Sequence, residues 1–181
     1  MGRVSQAEAQ ENRRRTVETA ARMFRERGVA AVSVADVMAE VGLTHGGFYK
    51  QFASKEALVA EAVGQAFAEQ ARRLMAAGES RDTFIAGYLS PGHRDAPGDG
   101  CPAAGFLGDS ARAEPAAAAR AAYADGVQSY ADWLGGDLAT LSTMVGALAL
   151  ARATAGTELS DRILTAARDR LTGTPPGPVV S

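Results

Sequence analysis

Residues 33–55, Ser33 to Lys55, read SVADVMAEVGLTHGGFYKQFASK and decide the fold of this chain. Ser33 and Asp36 have the spacing of a capping box, which predicts that a helix begins at Val34. Gly42 is the residue type that most easily adopts the left-handed conformation that ends a helix. A second short helix, with Thr44 as its N-cap, and the start of a third helix follow. The segment therefore predicts a helix-turn-helix.

The apolar residues of this segment support the same division. Those of the first helix recur at i, i+3, i+4 and i+7 and form one stripe: Val34, Val37, Met38 and Val41. In the second helix Phe48 and Phe52 are four residues apart and share a face, which we assign to the core. His45, Tyr49 and Lys50 are then left on the other faces.

Two adjacent glycines, Gly46 and Gly47, lie inside the second short helix. Each costs about 1 kcal/mol of helix stability relative to alanine. Close approach of the backbone to a ligand would explain this cost, and the edge of a DNA groove is such a ligand. The alternative is a two-helix corner in a purely structural helical adaptor, which gives no reason for the glycines.

The stretch from Val41 to Leu58, VGLTHGGFYKQFASKEAL, resembles the DNA-binding domain of the TetR/AcrR family of transcriptional regulators. The similarity extends over residues 16–63, about the first third of the chain. It implies a helix-turn-helix DNA-binding domain over residues 1–54. It also implies a helical effector-binding and dimerisation domain over residues 55–181.

This resemblance, together with side-chain chemistry, predicts the DNA contacts. Hydroxyls and a point charge such as the Lys55 ammonium suit phosphates, whereas His45 and Lys50 could reach base edges. The predicted DNA-binding residues are Ser33, Thr44, His45, Gly46, Gly47, Tyr49, Lys50, Gln51 and Lys55.

The rest of the chain also predicts helices. Alanine is abundant and β-branched runs are scarce, which favours an all-α fold. We expect about nine helices: two in the motif and others near 9–27, 55–77, 81–89, 103–111, 114–134, 138–154 and 158–172. Residues 90–102 are rich in Gly, Pro and Asp and predict a loop. We expect residues 1–8 to be disordered and the tail 173–181 to be loose.

Composition narrows the function classes. The sequence contains no run of about 18 apolar residues, so we expect no membrane span. The polar N-terminus has no signal-peptide pattern. A single cysteine fits a reducing cytoplasm. Residues 1–56 hold nine Lys and Arg against seven Asp and Glu, a net of +2, whereas residues 57–181 hold ten against fourteen, a net of −4. The positive end coincides with the predicted DNA-binding motif.

A distant alternative is a thiol- or metal-dependent enzyme built on His93 and Cys101, with Asp95 nearby. The chain has only two histidines, and one lies in the predicted recognition helix. No spacing of a nucleophile and a base supports catalysis. We therefore expect no enzyme activity, no metal and no cofactor, and we assign Cys101 to packing beneath the 91–102 loop.

Aromatic side chains scattered over the second domain predict an effector pocket, because alanine and leucine would suffice for packing alone. The candidates are Phe84, Tyr88, Phe106, Tyr123, Tyr130 and Trp133. The helix from Leu138 to Arg152 is apolar on more than one face, so it is either fully buried or shared with a second chain. Family resemblance favours the second reading. The predicted interface residues are Leu141, Val145, Leu148, Ile163, Leu164 and Ala167.

The sequence thus predicts a homodimeric repressor that binds a palindromic operator in double-stranded DNA and is released by a small-molecule effector. An activator, or a regulator that needs no effector, is the alternative within the same fold. The sequence identifies neither the operator nor the effector.

Overall fold

The computed structural model describes residues 6–114 and 116–173, and within these ranges the chain forms eleven helices and no strand. The helices are α1 (Gln6–Arg27), α2 (Val34–Glu40), α3 (His45–Phe48), α4 (Lys55–Ala77), α5 (Arg81–Tyr88), α6 (Pro91–Asp95), α7 (Pro102–Gly105), α8 (Leu107–Arg112), α9 (Ala118–Trp133), α10 (Leu138–Ala153) and α11 (Glu158–Thr172). The predictions for residues 1–5, Pro115 and 174–181 lie outside the described residues. The all-α prediction is confirmed for the part of the chain that the structure describes.

The local signals of the motif form as predicted. The Ser33 hydroxyl accepts a hydrogen bond from the Asp36 N–H, and the Asp36 carboxylate accepts one from the Ser33 N–H, which completes the capping box. Gly42 has a φ of +72°, as the end of α2 requires. Ser54 caps α4 by accepting from the Ala57 N–H. Thr44 has the extended backbone of an N-cap, but its side chain makes no capping hydrogen bond.

A single apolar core runs through both halves of the chain. In the N-terminal half its fully buried side chains include Phe24, Met38, Phe48 and Leu58. Burial of a side chain of this size contributes about 1.5–3 kcal/mol to stability. Helix α4 continues the core with Val63, Ala66 and Phe67, and packs on α9 in the second half. Because the core is continuous along α4, the predicted domain boundary at residues 54–55 stays a prediction.

The second half differs from the prediction in three places. The predicted loop 90–102 contains α6, where Pro91 occupies the first turn and Ser90 accepts from the His93 N–H. The predicted helix 103–111 divides at the buried Phe106 into α7 and α8. Helix α9 begins at Ala118, after an extended Ala117, and not near residue 114. These changes account for eleven helices in place of nine.

No single described helix is long and apolar enough to cross a membrane. The pair α9 and α10 passes that test of length and composition only when taken together, and it is bent by 119°.

Gly126 of α9 lies directly against the Phe67 ring of α4. A Cβ atom at this position would overlap the Phe67 ring, so Gly126→Ala must push the two helices apart. We expect a loss of about 1–3 kcal/mol in the free energy of unfolding, measured by urea denaturation.

The matched control is Gly64→Ala on α4, where an added Cβ meets no atom within 4 Å. This change should stabilise the chain by up to about 1 kcal/mol through helix propensity alone. Equal responses of the two variants would contradict the close packing of α9 on α4.

Candidate nucleic-acid interface and adjoining cavities

Helix α3 is anchored by one face and exposed on the other. Phe48 is fully buried, and its ring stacks on the ring of Phe52 with 5.3 Å between centroids. His45 and Lys50 are exposed, and 64% of the surface of Tyr49 is accessible. The rings of His45 and Tyr49 meet edge to face at 5.8 Å. A very short helix therefore presents an imidazole, a phenol and an ammonium group to solvent.

The two glycines of α3 are not required by packing within the chain. A Cβ atom at Gly46 would meet no atom within 4 Å, and one at Gly47 would make only ordinary contacts of 3.6 Å with Thr44 Oγ1 and 3.7 Å with Met38 Cε. Neither glycine has a positive φ. Since an alanine would fit and favour the helix, the structure of the single chain gives no reason for either glycine.

Three of the nine predicted DNA-binding residues are engaged within the chain. The Ser33 hydroxyl donates to Asp36 Oδ2 at 2.7 Å, and this bond, with one from the Ser33 N–H, lowers the pKa of Asp36. The Lys55 ammonium donates to the Val29 carbonyl at 2.7 Å. Gln51 is half-buried, and its amide nitrogen donates to the Gly47 carbonyl at 3.5 Å.

The remaining predicted contacts form one outer surface. Thr44, His45, Gly46, Tyr49 and Lys50 are exposed, and Gly47 is half-buried beside them. We call these six residues the α3 surface. The role of all nine in binding DNA stays a prediction, and the α3 surface is the part that is sterically open.

Three arginines of α1 make ion pairs and hydrogen bonds, two of them to the residues of the motif and to α4. Arg13 pairs with Glu61 at 2.6 Å and lies 4.7 Å from the centroid of the Phe52 ring. Arg14 pairs with Glu11 and Glu18 on its own helix. Arg15 donates to the Val41 carbonyl at the end of α2. The sequence indicates only the positive charge of these side chains. It does not indicate that Arg13 bonds to α4 or that Arg15 bonds to the end of α2.

The six predicted effector-pocket residues do not share one cavity. Phe84 and Tyr88 line a cavity of about 290 Å³, and Tyr130 and Trp133 line a second one of about 230 Å³. Phe106 faces a third cavity of about 710 Å³, between the α1–α2 turn and the start of α9. The Tyr123 hydroxyl donates to the Ala103 carbonyl at 2.7 Å, and Tyr123 lines none of these three. The described cavities therefore divide the candidates among them, and an effector pocket lined by a subset of these residues stays a prediction.

The first two cavities adjoin each other through Gln70 and Leu74, which line both. We call them the paired cavities. Phe84 connects their aromatic walls, with its ring centroid 4.8 Å from that of Trp133 and 6.4 Å from that of Tyr130. Burial raises the pKa of Tyr88 and of Tyr130, so both phenols stay protonated at neutral pH.

His93 and Cys101 are structural. The Cys101 N–H donates to His93 Nε2 at 2.9 Å, so the ring proton lies on Nδ1, which donates to the Tyr88 carbonyl at 2.8 Å. Burial lowers the pKa of His93 and raises that of the Cys101 thiol. Asp95 pairs with Arg94 instead. Within residues 6–114 and 116–173 no three His, Cys, Asp or Glu side chains are grouped to hold a metal ion. The His93 ring and the Cys101 N–H are thus engaged in hydrogen bonds within the chain.

The six predicted interface residues divide by burial. Leu141 and Leu148 of α10 and Leu164 of α11 are buried within this chain. Their place at a dimer interface stays a prediction. Val145, Ile163 and Ala167 are only half-buried. The sequence pattern could not separate the two groups, because α10 is apolar on several faces.

Residues 17–62, which comprise the second half of α1, all of α2 and α3 and the first turns of α4, match the family model of the bacterial regulatory proteins of the tetR family. The chain carries a tetR-family region. This confirms the resemblance expected from the sequence, and with it a helix-turn-helix of the type found in DNA-binding regulators of transcription.

Relatives are similar over the same region. The HTH-type transcriptional regulator TtgR of Pseudomonas putida is 39% identical over 82 residues, which are 45% of this chain and 39% of TtgR. YerO of Bacillus subtilis, an uncharacterized HTH-type transcriptional regulator, is 38% identical over 52 residues, which are 29% of this chain and 18% of YerO. The match to TtgR thus spans about two fifths of that protein's length.

Solved structures extend the likeness of fold beyond the tetR-family region. The reduced form of NemR from E. coli has a TM-score of 0.70 at 16% identity, covering 94% of this chain and all of NemR. A TetR transcriptional regulator from Chloroflexus aurantiacus has the same TM-score at 24% identity, covering 92% of this chain and 96% of its own. The helical arrangement is therefore shared along nearly the whole chain.

The buried His93 makes stability depend on pH. Its pKa lies below the ordinary value of 6.5 because of burial, so the unfolded chain takes up a proton at higher pH than the folded chain does. The stabilisation is present above about pH 6.5 and is lost as the pH falls from there towards the folded pKa. Urea unfolding at pH 7.5 and 5.5 should show a lower free energy of unfolding at pH 5.5.

His93→Gln should flatten this slope while lowering stability at pH 7.5, because it removes the titrating ring and disturbs two hydrogen bonds. His45→Gln is the matched control, since His45 is exposed on α3. A slope that persists in His93→Gln would show that another group titrates.

Proposed function

We propose that this protein is a transcriptional repressor that binds operator DNA as a homodimer and is released by a small molecule. The observation that carries the DNA-binding part is the α3 surface. It presents the exposed residues His45, Tyr49 and Lys50 on a short helix whose inner side is anchored by the buried Phe48. A helix presented in this way fits the major groove of B-DNA.

The two glycines support this proposal. An outside partner explains them, because the space above Gly46 is open and Gly47 makes only ordinary contacts. Without Cβ atoms, the backbone of α3 can approach a sugar–phosphate edge closely. Lys50 can donate to guanine N7 or O6, and Tyr49 can donate to a phosphate.

A second copy of this chain is proposed to pack on the outer face of α10 and α11. Val145, Ile163 and Ala167 are half-buried on these helices, and Leu150 and Leu159 are largely exposed. A two-fold pairing here would bury apolar surface that the single chain leaves in water. A dimer of this kind would read two half-sites of a roughly palindromic operator.

The effector part rests on contacts that join the paired cavities to the DNA-binding helices. Arg25 of α1 lines the first cavity, and its guanidinium donates twice to the Gly98 carbonyl in the loop that follows α6. A Cβ atom at Gly98 or Gly105 would collide with side chains of α1, so both backbones press closely on that helix. A ligand that shifts the loop after α6 or helix α7 would therefore move α1.

Release requires the effector to bind one conformation better than the DNA-bound one. By linkage, operator DNA must weaken effector binding by the same factor. DNA binding that no small molecule alters would favour a regulator without an effector.

Substitutions on the α3 surface should separate two kinds of DNA contact. Lys50→Ala and His45→Ala should change which bases are preferred, with about 1–3 kcal/mol at stake for each good base contact. Tyr49→Phe should weaken all operator variants by a similar factor, because phosphates carry no sequence information. The measurement is selection from a random DNA pool followed by fluorescence anisotropy at several salt concentrations.

Arg72→Gln is the matched control, because Arg72 is an exposed cation on α4 away from α3. It should leave the affinity, the base preference and the salt dependence unchanged. If all three α3 variants behave like Arg72→Gln, then α3 is not the reading element.

The dimer proposal predicts different outcomes for two charges on α10. Val145→Glu, on the outer face, should give folded monomers by light scattering at micromolar concentration. Leu148→Glu should instead unfold the chain, because Leu148 is fully buried in this subunit.

Met75→Glu is the control for added charge on an exposed apolar position, since Met75 is 73% exposed on α4. It should remain dimeric. A wild-type protein that is monomeric at high concentration would contradict the interface.

A further inference from the structure

Three buried polar groups around the paired cavities make no hydrogen bond of ordinary geometry within the chain. They are the hydroxyls of Tyr88 and Tyr130 and the amide oxygen of Gln70. Cys101 lies close to the Tyr88 hydroxyl, and Gln70 lies close to the Tyr130 hydroxyl. Tyr88 is 5% exposed and Tyr130 is 3% exposed. Buried polar groups nearly always find a partner in a folded protein, because leaving one unpaired is costly. Three such groups around adjoining cavities point to a partner from outside the chain.

The positions of these groups define where that partner lies. Tyr88 lines the first cavity, Tyr130 lines the second, and Gln70 lines both. The remaining walls are largely aromatic or aliphatic, with Phe84, Leu74 and Trp133. A ligand with an aromatic body and one polar end would match this distribution.

The charges on the first cavity favour an uncharged ligand. Arg25 is 8% exposed and donates to the Gly98 carbonyl. Arg73 donates to the Asp99 carbonyl and lies 3.9 Å from Glu69. Of the charged residues that line the cavity, Arg73, Glu79 and Asp99 are exposed. Arg25 is buried and Glu69 is half-buried, and these two have opposite charges. An anion would meet the acids and a cation would meet the arginines, so either would be poorly matched.

We infer that the paired cavities bind an uncharged aromatic molecule whose polar end both accepts and donates a hydrogen bond, as a carboxamide does. The ligand oxygen accepts from the Tyr88 hydroxyl, and the ligand N–H donates to the Gln70 amide oxygen. This inference rests on the proposed function in naming the ligand as the effector, but the site itself does not depend on DNA binding.

The site has a signature in the free protein. If the Tyr88 hydroxyl served only to stabilise the fold, Tyr88→Phe would lower the midpoint temperature of thermal unfolding. Because this hydroxyl makes no hydrogen bond of ordinary geometry within the chain, its removal should leave the midpoint unchanged or raise it. The same substitution should weaken binding of the ligand.

The test uses isothermal titration calorimetry on the full chain without DNA and four probes of similar shape. Benzamide is uncharged and both donates and accepts, benzoate is an anion, benzamidinium is a cation, and ethylbenzene has no polar group. Benzamide should bind at least tenfold more tightly than each of the others. Tyr88→Phe and Gln70→Met should each weaken benzamide by about three- to tenfold.

Tyr123→Phe is the matched control, because it removes a hydroxyl that is bonded to the Ala103 carbonyl and lies outside the paired cavities. It should leave benzamide affinity unchanged and lower the thermal midpoint.

Tighter binding of benzoate would assign an anion site at Arg25 and overturn the inference. Equal binding of ethylbenzene, or no binding of any probe, would also overturn it. So would a lower midpoint in unliganded Tyr88→Phe. DNA binding is measured separately on the same protein, so a failure of the ligand site is distinguishable from a failure of the proposed regulator.

Discussion

Burial of Phe48 is the constraint on which the position of α3, and with it the α3 surface, depends. Helix α3 has only four residues and two of them are glycine, so it cannot be stable alone. Removing the Phe48 ring from water, with Phe52 stacked on it, holds α3 against the core. Once Phe48 fixes the inner side of α3, the helical geometry determines which residues face outward. His45, Tyr49 and Lys50 are exposed because they lie on the faces that Phe48 does not use.

Helix α4 carries that constraint into the second half of the chain. Its first turns bury Leu58 beneath the motif, and its later turns bury Ala66 and Phe67 against the helices that follow. The paired cavities lie along the same helix, since Gln70 and Leu74 line both. Arg25 reaches the first cavity from α1. A change at the cavities therefore has two packed routes towards α3, one through α4 and one through α1, as a proposed effector-released repressor requires.

Much of the helical framework was predictable from local signals. The capping box at Ser33, the glycine at residue 42 and the Ser54 cap define α2 and the start of α4, because each acts within a few residues. The loop prediction for residues 90–102 failed although Ser90 and Pro91 are a helix-start signal. The surrounding glycines and aspartates outweighed it. The division of the candidate pocket residues among separate cavities was not predictable, since aromatic residues at helical spacing do not indicate which cavity they face.

By itself, the sequence determined the fold class, the helix-turn-helix and the residues on the outer face of α3. Those depend on helical periodicity and on caps, which are local. Only the tertiary structure decided that the Lys55 ammonium bonds to Val29 and that Leu148 is core while Val145 is not. It also decided that Tyr88, Tyr130 and Gln70 surround adjoining cavities. Each of these facts joins residues far apart in the chain. The packing of α4 on its neighbours brings them together, and no local pattern records that packing.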